Sequence, residues 1–248
     1  PDEYIKKIDL LAEFSALAPE KTDCLTLYGV GDQISATLKP LVQKYAATKN
    51  LKQNWSNIIN DYRRYDYLPF NLWRMLSEAE KSKFKQLRIG NKNKSSFSLP
   101  RFLPVTSELI ELLGLYAAEG TTILSQTHRV VFSFGSHERA LIDYAIHLVK
   151  QVFNFETQAQ YCHDTATTLA INSHPIALFF SEVVKAGKTS KRKVVPNLVF
   201  NINPKLRERY LFGYMAGDGS PASEFTDHLI EGTAFDASER RKFAAQSA

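Results

Sequence analysis

One nine-residue segment occurs twice. Leu112-Leu113-Gly114-Leu115-Tyr116-Ala117-Ala118-Glu119-Gly120 returns as Leu211-Phe212-Gly213-Tyr214-Met215-Ala216-Gly217-Asp218-Gly219, an offset of 99 residues. Leucine, the first glycine, an alanine, the acid and the closing glycine keep their places. Glycine inside a helix costs up to about 1 kcal/mol against alanine, so its presence in both copies needs a reason. Close packing supplies one. Gly114 with Ala117, and Gly213 with Ala216, form a small-residue stripe that lets two helix backbones approach more closely than leucine-lined helices can. The pattern therefore predicts two tightly crossed helices, each closed by an acid and then a glycine, Gly120 or Gly219, as a left-handed cap. A carboxylate at a helix C-terminus faces the negative end of the dipole, unfavourable by about 0.3–1 kcal/mol, so a cation is expected beside it. Glu119 and Asp218 brought together would form an oxygen-rich pocket of the kind Mg²⁺ prefers, suited to metal-assisted phosphodiester hydrolysis. The competing reading is an ordinary packed helix pair with both acids solvated.

The residues between the two copies have regular patterning. Thr106-Ser107-Glu108 can cap a helix running to about residue 118, and residues 129–134 form an apolar, β-branched and aromatic strand. Residues 138–153 place Leu141, Tyr144, Ala145, Leu148 and Val152 on one helical face. Strand patterns at 157–163 and 167–171 follow, then a helix over 176–186. The order is αββαββα and the class α+β. Before it, residues 1–80 read as helical pieces: Ile5, Ile8, Leu11 and Phe14 recur at helical spacing up to Pro19. After the turn signal Gly29-Val30-Gly31-Asp32, further pieces lie near 38–47, 55–65 and 69–76. Trp55, Tyr62, Arg63, Arg64 and Tyr65 would suit the DNA face of a helix-turn-helix-like unit; a plain helical adaptor is the other reading. Residues 90–104 read as a polar, proline-punctuated linker. The division is thus a mainly helical region over 1–103, a first αββαββα unit over 104–200 and a second, incomplete unit over 201–248.

Charge narrows the partner. The chain of 248 residues carries 31 basic and 26 acidic side chains, and the whole excess of +5 lies within the first 100 residues. Lys81, Lys83, Lys85, Arg88, Lys92, Lys94 and Arg101 form a run without an acid, and residues 185–193, including Lys188, Lys191 and Arg192, form another. Such runs are either solvated surface or phosphate contacts. Arg129, Ser133, Gln158, Gln160 and His163 are candidate base readers on the first sheet. With 44% hydrophobic and 23% charged residues the composition is that of a globular protein. No apolar run approaches the roughly 20 residues of a membrane span, and residues 1–10 lack signal-peptide character, so an intracellular location without a membrane partner is expected. Cys24 and Cys162 allow no zinc knuckle. In Cys162-His163-Asp164, neighbouring side chains on a strand point to opposite faces, which argues against a metal there. No Ser-His-Asp arrangement, glycine-rich phosphate loop or H-x-E motif appears.

At the paired nine-residue motifs the chain resembles the LAGLIDADG (DOD-type) homing endonucleases, in particular those embedded in inteins. The resemblance runs from about Ser98 to the end. It includes Lys193-Val194-Val195-Pro196, which looks like the family's K-x-[IV]-P block, and its approach Gly187-Lys188-Thr189-Ser190. It implies two αββαββα units related by a pseudo-two-fold axis in a monomer, with their antiparallel sheets forming a saddle over double-stranded DNA. Glu119 and Asp218 would hold Mg²⁺ or another divalent cation at the scissile phosphates. Lys193 would act on water or developing charge, or serve as a plain phosphate contact. Ala117 and Ala216 stand where the family name has Asp. Only 29 residues follow Gly219, too few for a second full unit, which raises the alternative of a catalytically inactive DNA- or RNA-binding, maturase-like derivative. If the chain is part of an intein it has a host protein. It is not expected to splice: Pro1 is no nucleophile, the end reads Gln246-Ser247-Ala248, and His174 of Asn172-Ser173-His174-Pro175 lies within the endonuclease-like part.

Overall fold

A computed structural model describes residues 4–34, 38–50, 54–91, 94–125, 127–163 and 165–218. The chain divides into two compact units. One spans Lys7–Leu103; the other begins at Pro104 and includes the residues before Lys7.

In the N-terminal unit, β1 (Lys7–Asp9) leads into α1 (Leu10–Ser15), α2 (Pro19–Thr22), β2 (Leu25–Tyr28), α3 (Lys39–Thr48) and α4 (Trp55–Arg64). Then come β3 (Tyr67–Pro69), α5 (Phe70–Arg74), α6 (Glu78–Lys81), β4 (Arg88–Asn91), β5 (Lys94–Pro100) and β6 (Phe102–Pro104). The helices start where their chemistry dictates. Asp9 accepts from the backbone N–H of Leu11 and Ala12 at 3.2 Å, Asn54 caps α4, and Ser77 with Glu80 closes a capping box on α6. An antiparallel sheet in the order β3-β2-β4-β5 buries Leu25, Leu27, Leu68, Ile89 and Leu99.

This corrects the mainly helical reading of residues 1–103. Residues 90–104 are not a linker but contribute to three strands, and Ile89, Leu99 and Leu103 are core residues. A strand with one buried face needs apolar side chains only at alternate positions, so its serines and lysines hid it. Of the residues read as a helix-turn-helix-like DNA face, Tyr62 is buried in the core and the Arg63 Nε donates to the Ile34 carbonyl at 2.7 Å, while Arg64 and Tyr65 are exposed.

The C-terminal unit runs α7 (Ser107–Glu119), β7 (Gly120–Ile123), β8 (Arg129–Gly135), α8 (Arg139–Phe153), β9 (Ala159–His163), β10 (Ala166–Ile171) and α9 (His174–Leu178), which continues as a π-helical turn over Phe179–Val183. A short α10 (Asn197–Phe200) and α11 (Pro204–Asp218) follow. The sheet order is β7-β8-β10-β9, antiparallel throughout. Along β8 burial alternates. Val130, Phe132 and Phe134 face the core with Leu169 and Ile171 of β10, while Arg129, Val131 and Ser133 face away. The protein is therefore α+β with antiparallel sheets. Among the described residues no helix is long and apolar enough to cross a membrane.

Candidate active site

Two of the candidate catalytic residues, Glu119 and Lys193, lie at the C-terminal end of α7. Helices α7 and α11 cross through their glycines. A Cβ on Gly114 would overlap the Tyr210 carbonyl oxygen and come within 2.7 Å of the Tyr214 nitrogen. One on Gly213 would overlap the Glu111 carbonyl oxygen and lie 2.8 Å from its carbon. Only glycine permits backbone to lie on backbone in this way. One turn on, a Cβ at Gly217 would lie 2.5 Å from Ala118 Cβ and 3.0 Å from Glu119 Cγ. The Glu119 side chain therefore lies against the last turn of α11, the turn that ends at Asp218; the Asp218 side chain is outside the described residues.

Lys193 brings a positive charge to the same helix end. Its Nζ donates to the carbonyl oxygens of Tyr116 at 2.5 Å and Ala118 at 3.2 Å, and sits 5.1 Å from the Tyr116 ring centroid. These are carbonyls at the negative end of α7, where a lysine both satisfies acceptors and offsets the dipole. A tight loop delivers it. Gly187 has φ +84°, and any Cβ there would overlap the Arg192 carbonyl oxygen. The loop is fastened to the helix by the Tyr116 hydroxyl, which donates to the Gly187 carbonyl at 2.6 Å and bonds Thr122 Oγ1 at 2.7 Å. Burial pushes the Tyr116 phenol up, against the lowering effect of the Thr122 bond.

Gly120 differs from its expected role. Its φ is −82° and ψ 154°, extended rather than left-handed, and it opens β7. The requirement is steric: a Cβ there would overlap the Tyr116 ring.

Other candidates fall into three places. Arg129, Ser133 and Gln160 lie on the face of the sheet turned from the core, with Gln160 and Ser133 both paired to Thr168 of β10. The Arg129 Nε is buried and meets no acceptor among the described residues. Gln158 is exposed just before β9, and the His163 side chain lies outside the described residues. Lys191 and Arg192 are exposed on a 3-10 turn, whereas Lys188 pairs with Glu182 at 3.5 Å. In the N-terminal unit Lys83 and Lys85 are exposed, and the side chains of Lys92 and Lys94 lie outside the described residues. The remaining three of that run are engaged internally. Lys81 pairs with Glu78 at 2.8 Å, Arg88 donates to Ser98, and Arg101 forms a fork on Asp9 with contacts of 3.1, 3.1 and 2.7 Å.

A buried polar triad has no local sequence signal. The Glu111 carboxylate, inside α7, accepts from the Tyr144 hydroxyl of α8 and from Arg209 of α11. Burial raises the Glu111 carboxyl above its ordinary value, against the lowering effect of the Tyr144 and Arg209 hydrogen bonds. Among the described residues no three metal-ligating side chains cluster, so any ion at the α7–α11 ends would rely on Glu119, Asp218 and non-protein oxygens. Hard carboxylates of that kind fit Mg²⁺, which keeps several waters.

No family model matches the chain. It is 26% identical over 223 residues to the DNA polymerase II large subunit of Thermococcus kodakarensis. That stretch covers 89% of this chain and 11% of the polymerase subunit.

Proposed function

We propose that the C-terminal unit is the core of a divalent-metal-dependent, site-specific double-strand DNA endonuclease of the LAGLIDADG homing class, intein-derived. The observation that carries this reading is the repeated motif whose helices α7 and α11 lie glycine on glycine, so that Glu119 abuts the turn ending at Asp218. Glu119 and Asp218 would hold the metal, Mg²⁺ by donor chemistry. When bound it would supply a Lewis acid and an activated water at the phosphodiester. Lys193 holds the carbonyls of the α7 end and so keeps the Glu119 backbone in place. The outward sheet face carrying Arg129, Ser133 and Gln160 would read the major groove, with Lys191 and Arg192 as phosphate contacts. A similarity confined to 11% of a polymerase subunit has the proportions of a module carried inside a larger host polypeptide.

The test is cleavage of plasmids bearing a target library, with Mg²⁺ and with EDTA. Double-strand cutting in Mg²⁺ alone is expected, abolished by Glu119→Gln or Asp218→Asn. Undiminished cutting by either variant removes that residue from the mechanism. Duplex binding without nicking under any divalent metal would assign the chain instead to a non-cleaving binding derivative.

A further inference from the structure

We infer that the N-terminal unit contains a phosphate-binding cleft, a site independent of the endonuclease reading. The cleft has a volume of about 600 Å³ and lies between α1, α5, α6 and the start of the β4 strand. This is within the range of pockets that hold a nucleotide-sized ligand. Its floor is apolar, from Leu11, Ala12 and Leu87, and its rim carries Arg74, Lys81 and Arg101 against one acid, Glu78. Two of these cations were scattered members of a linear run in the sequence; the fold gathers them beside a third, Arg74, that belongs to no run.

The donor inventory identifies the ligand. The Arg101 Nε and Nη2 are spent on Asp9, a fork that fixes the plane of the guanidinium and leaves Nη1 over. Arg74 spends Nη1 on the Leu17 carbonyl at 2.8 Å and, more weakly, on Thr22 Oγ1 at 3.5 Å; its Nε and Nη2 meet no acceptor among the described residues. Lys81 gives one proton to Glu78, whose carboxylate is 88% exposed, and keeps two. The Trp73 indole N–H is buried with no acceptor among the described residues, beneath the Lys81 ammonium, which lies 4.9 Å from the ring centroid. Ser15 and Ser82 already donate to the carbonyls of Leu11 and Ala79. Counting Asp9 as well as Glu78, the site keeps an excess of one positive charge, but its unspent capacity is overwhelmingly donor and two of the donors are planar guanidinium edges. An acceptor-rich tetrahedral oxyanion answers that inventory, and guanidinium edges suit phosphate in particular. The phosphate could belong to a DNA strand or to a free nucleotide-like molecule; the chemistry is shared.

Thermal unfolding of the full chain in phosphate, against chloride at matched ionic strength, tests the site. Phosphate is expected to raise Tm. Lys81→Met and Arg74→Met are each expected to weaken the phosphate affinity about tenfold, as loss of one charge-assisted hydrogen bond does. Lys44→Met, at an exposed position of α3 outside the cleft, should leave it unchanged. Titration of a 20-base-pair duplex distinguishes the sources: a strand phosphate is indicated if Lys81→Met lowers the salt slope of duplex binding by about 1, a free ligand if duplex binding is unaltered while the phosphate shift is lost. Should Arg74→Met fail to fold, Lys81→Met decides alone, because its ion-pair partner among the described residues is a solvated glutamate. The absence of any phosphate shift together with unaltered duplex binding, or an equal loss in Lys44→Met, overturns the proposal. Neither outcome depends on cleavage at Glu119 and Asp218.

Discussion

At the scale of single residues, two positions carry consequences that can be measured. Gly213 faces the Glu111 carbonyl so closely that a methyl group has nowhere to go. Gly213→Ala is expected to destabilise the protein by about 1–3 kcal/mol, the usual cost of overpacking, read as a lower urea midpoint with unchanged slope. Alanine at Ala117 or Ala216 shows that the helix itself tolerates a Cβ; the penalty belongs to the crossing. Asp9 both caps α1 and holds Arg101. Burial works to raise its carboxyl, but the Arg101 hydrogen bonds and charge, with the N–H groups of Ala12 and Leu11, outweigh it and hold it below its ordinary value of 3.8. A lowered carboxyl contributes stability that is present above pH 3.8 and is lost as the pH falls through the folded-state value. Asp9→Asn keeps a good capping residue but removes the charge paired with Arg101, so it should cost up to about 1 kcal/mol at pH 7, and its stability should fall less steeply than the wild type's below pH 3.8. A wild-type acid limb in the variant would show that Asp9 does not set it.

At the scale of elements, the crossing of α7 and α11 is held at three levels along its length. Gly114 and Gly213 let the helices touch, the Glu111–Arg209 pair joins them at one end, and Gly217 closes on Glu119 at the other. Glycine contacts alone resist separation better than sliding, because a smooth stripe has little to interlock. The buried ion pair, with Tyr144 of α8 as third partner, provides a directional contact that fixes the register. A double-mutant cycle of Glu111→Gln and Arg209→Met should give a coupling energy of about 1–2 kcal/mol; additive effects would remove the pair from that role. Because burial raises Glu111, its sign is opposite to that of Asp9: the carboxylate costs stability as the pH rises through its folded-state value. Glu111→Gln should flatten the pH dependence just above the ordinary glutamate value of 4.5, on the other side of the Asp9 effect.

At the scale of the whole molecule, the charge excess lies in the N-terminal unit while the candidate cleavage residues lie in the other. Of the seven basic residues in the run, Lys81 and Arg101 line the cleft of the N-terminal unit and Arg88 is held by Ser98, so contacts of the run outside the cleft rest on Lys83, Lys85, Lys92 and Lys94. Replacing Lys92 and Lys94 with alanine should flatten the slope of log affinity against log salt by up to about 2, with the preferred DNA site unchanged. An unaltered slope in the double variant would remove Lys92 and Lys94 from DNA contact.

The two copies of the motif were enough to place a glycine-mediated helix pair, and the patterning between them gave the order of elements from 107 to 183, because each depends on local periodicity. The cation expected beside Glu119 was a metal ion; the lysine on the α7 carbonyls, Lys193, is set by the fold of the loop that carries it. The linear string was misleading wherever a local rule met a distant neighbour. Gly120 looked like a cap, but it is needed for the Tyr116 ring; residues 90–104 looked like a linker, but their alternate apolar positions are completed only by β2 and β4 across the sheet. Asp9 with Arg101, and Glu111 with Arg209, are separated by 92 and 98 residues. Partnerships at that distance are set by how the elements pack, since sequence periodicity specifies which face of an element is buried and not what it is buried against.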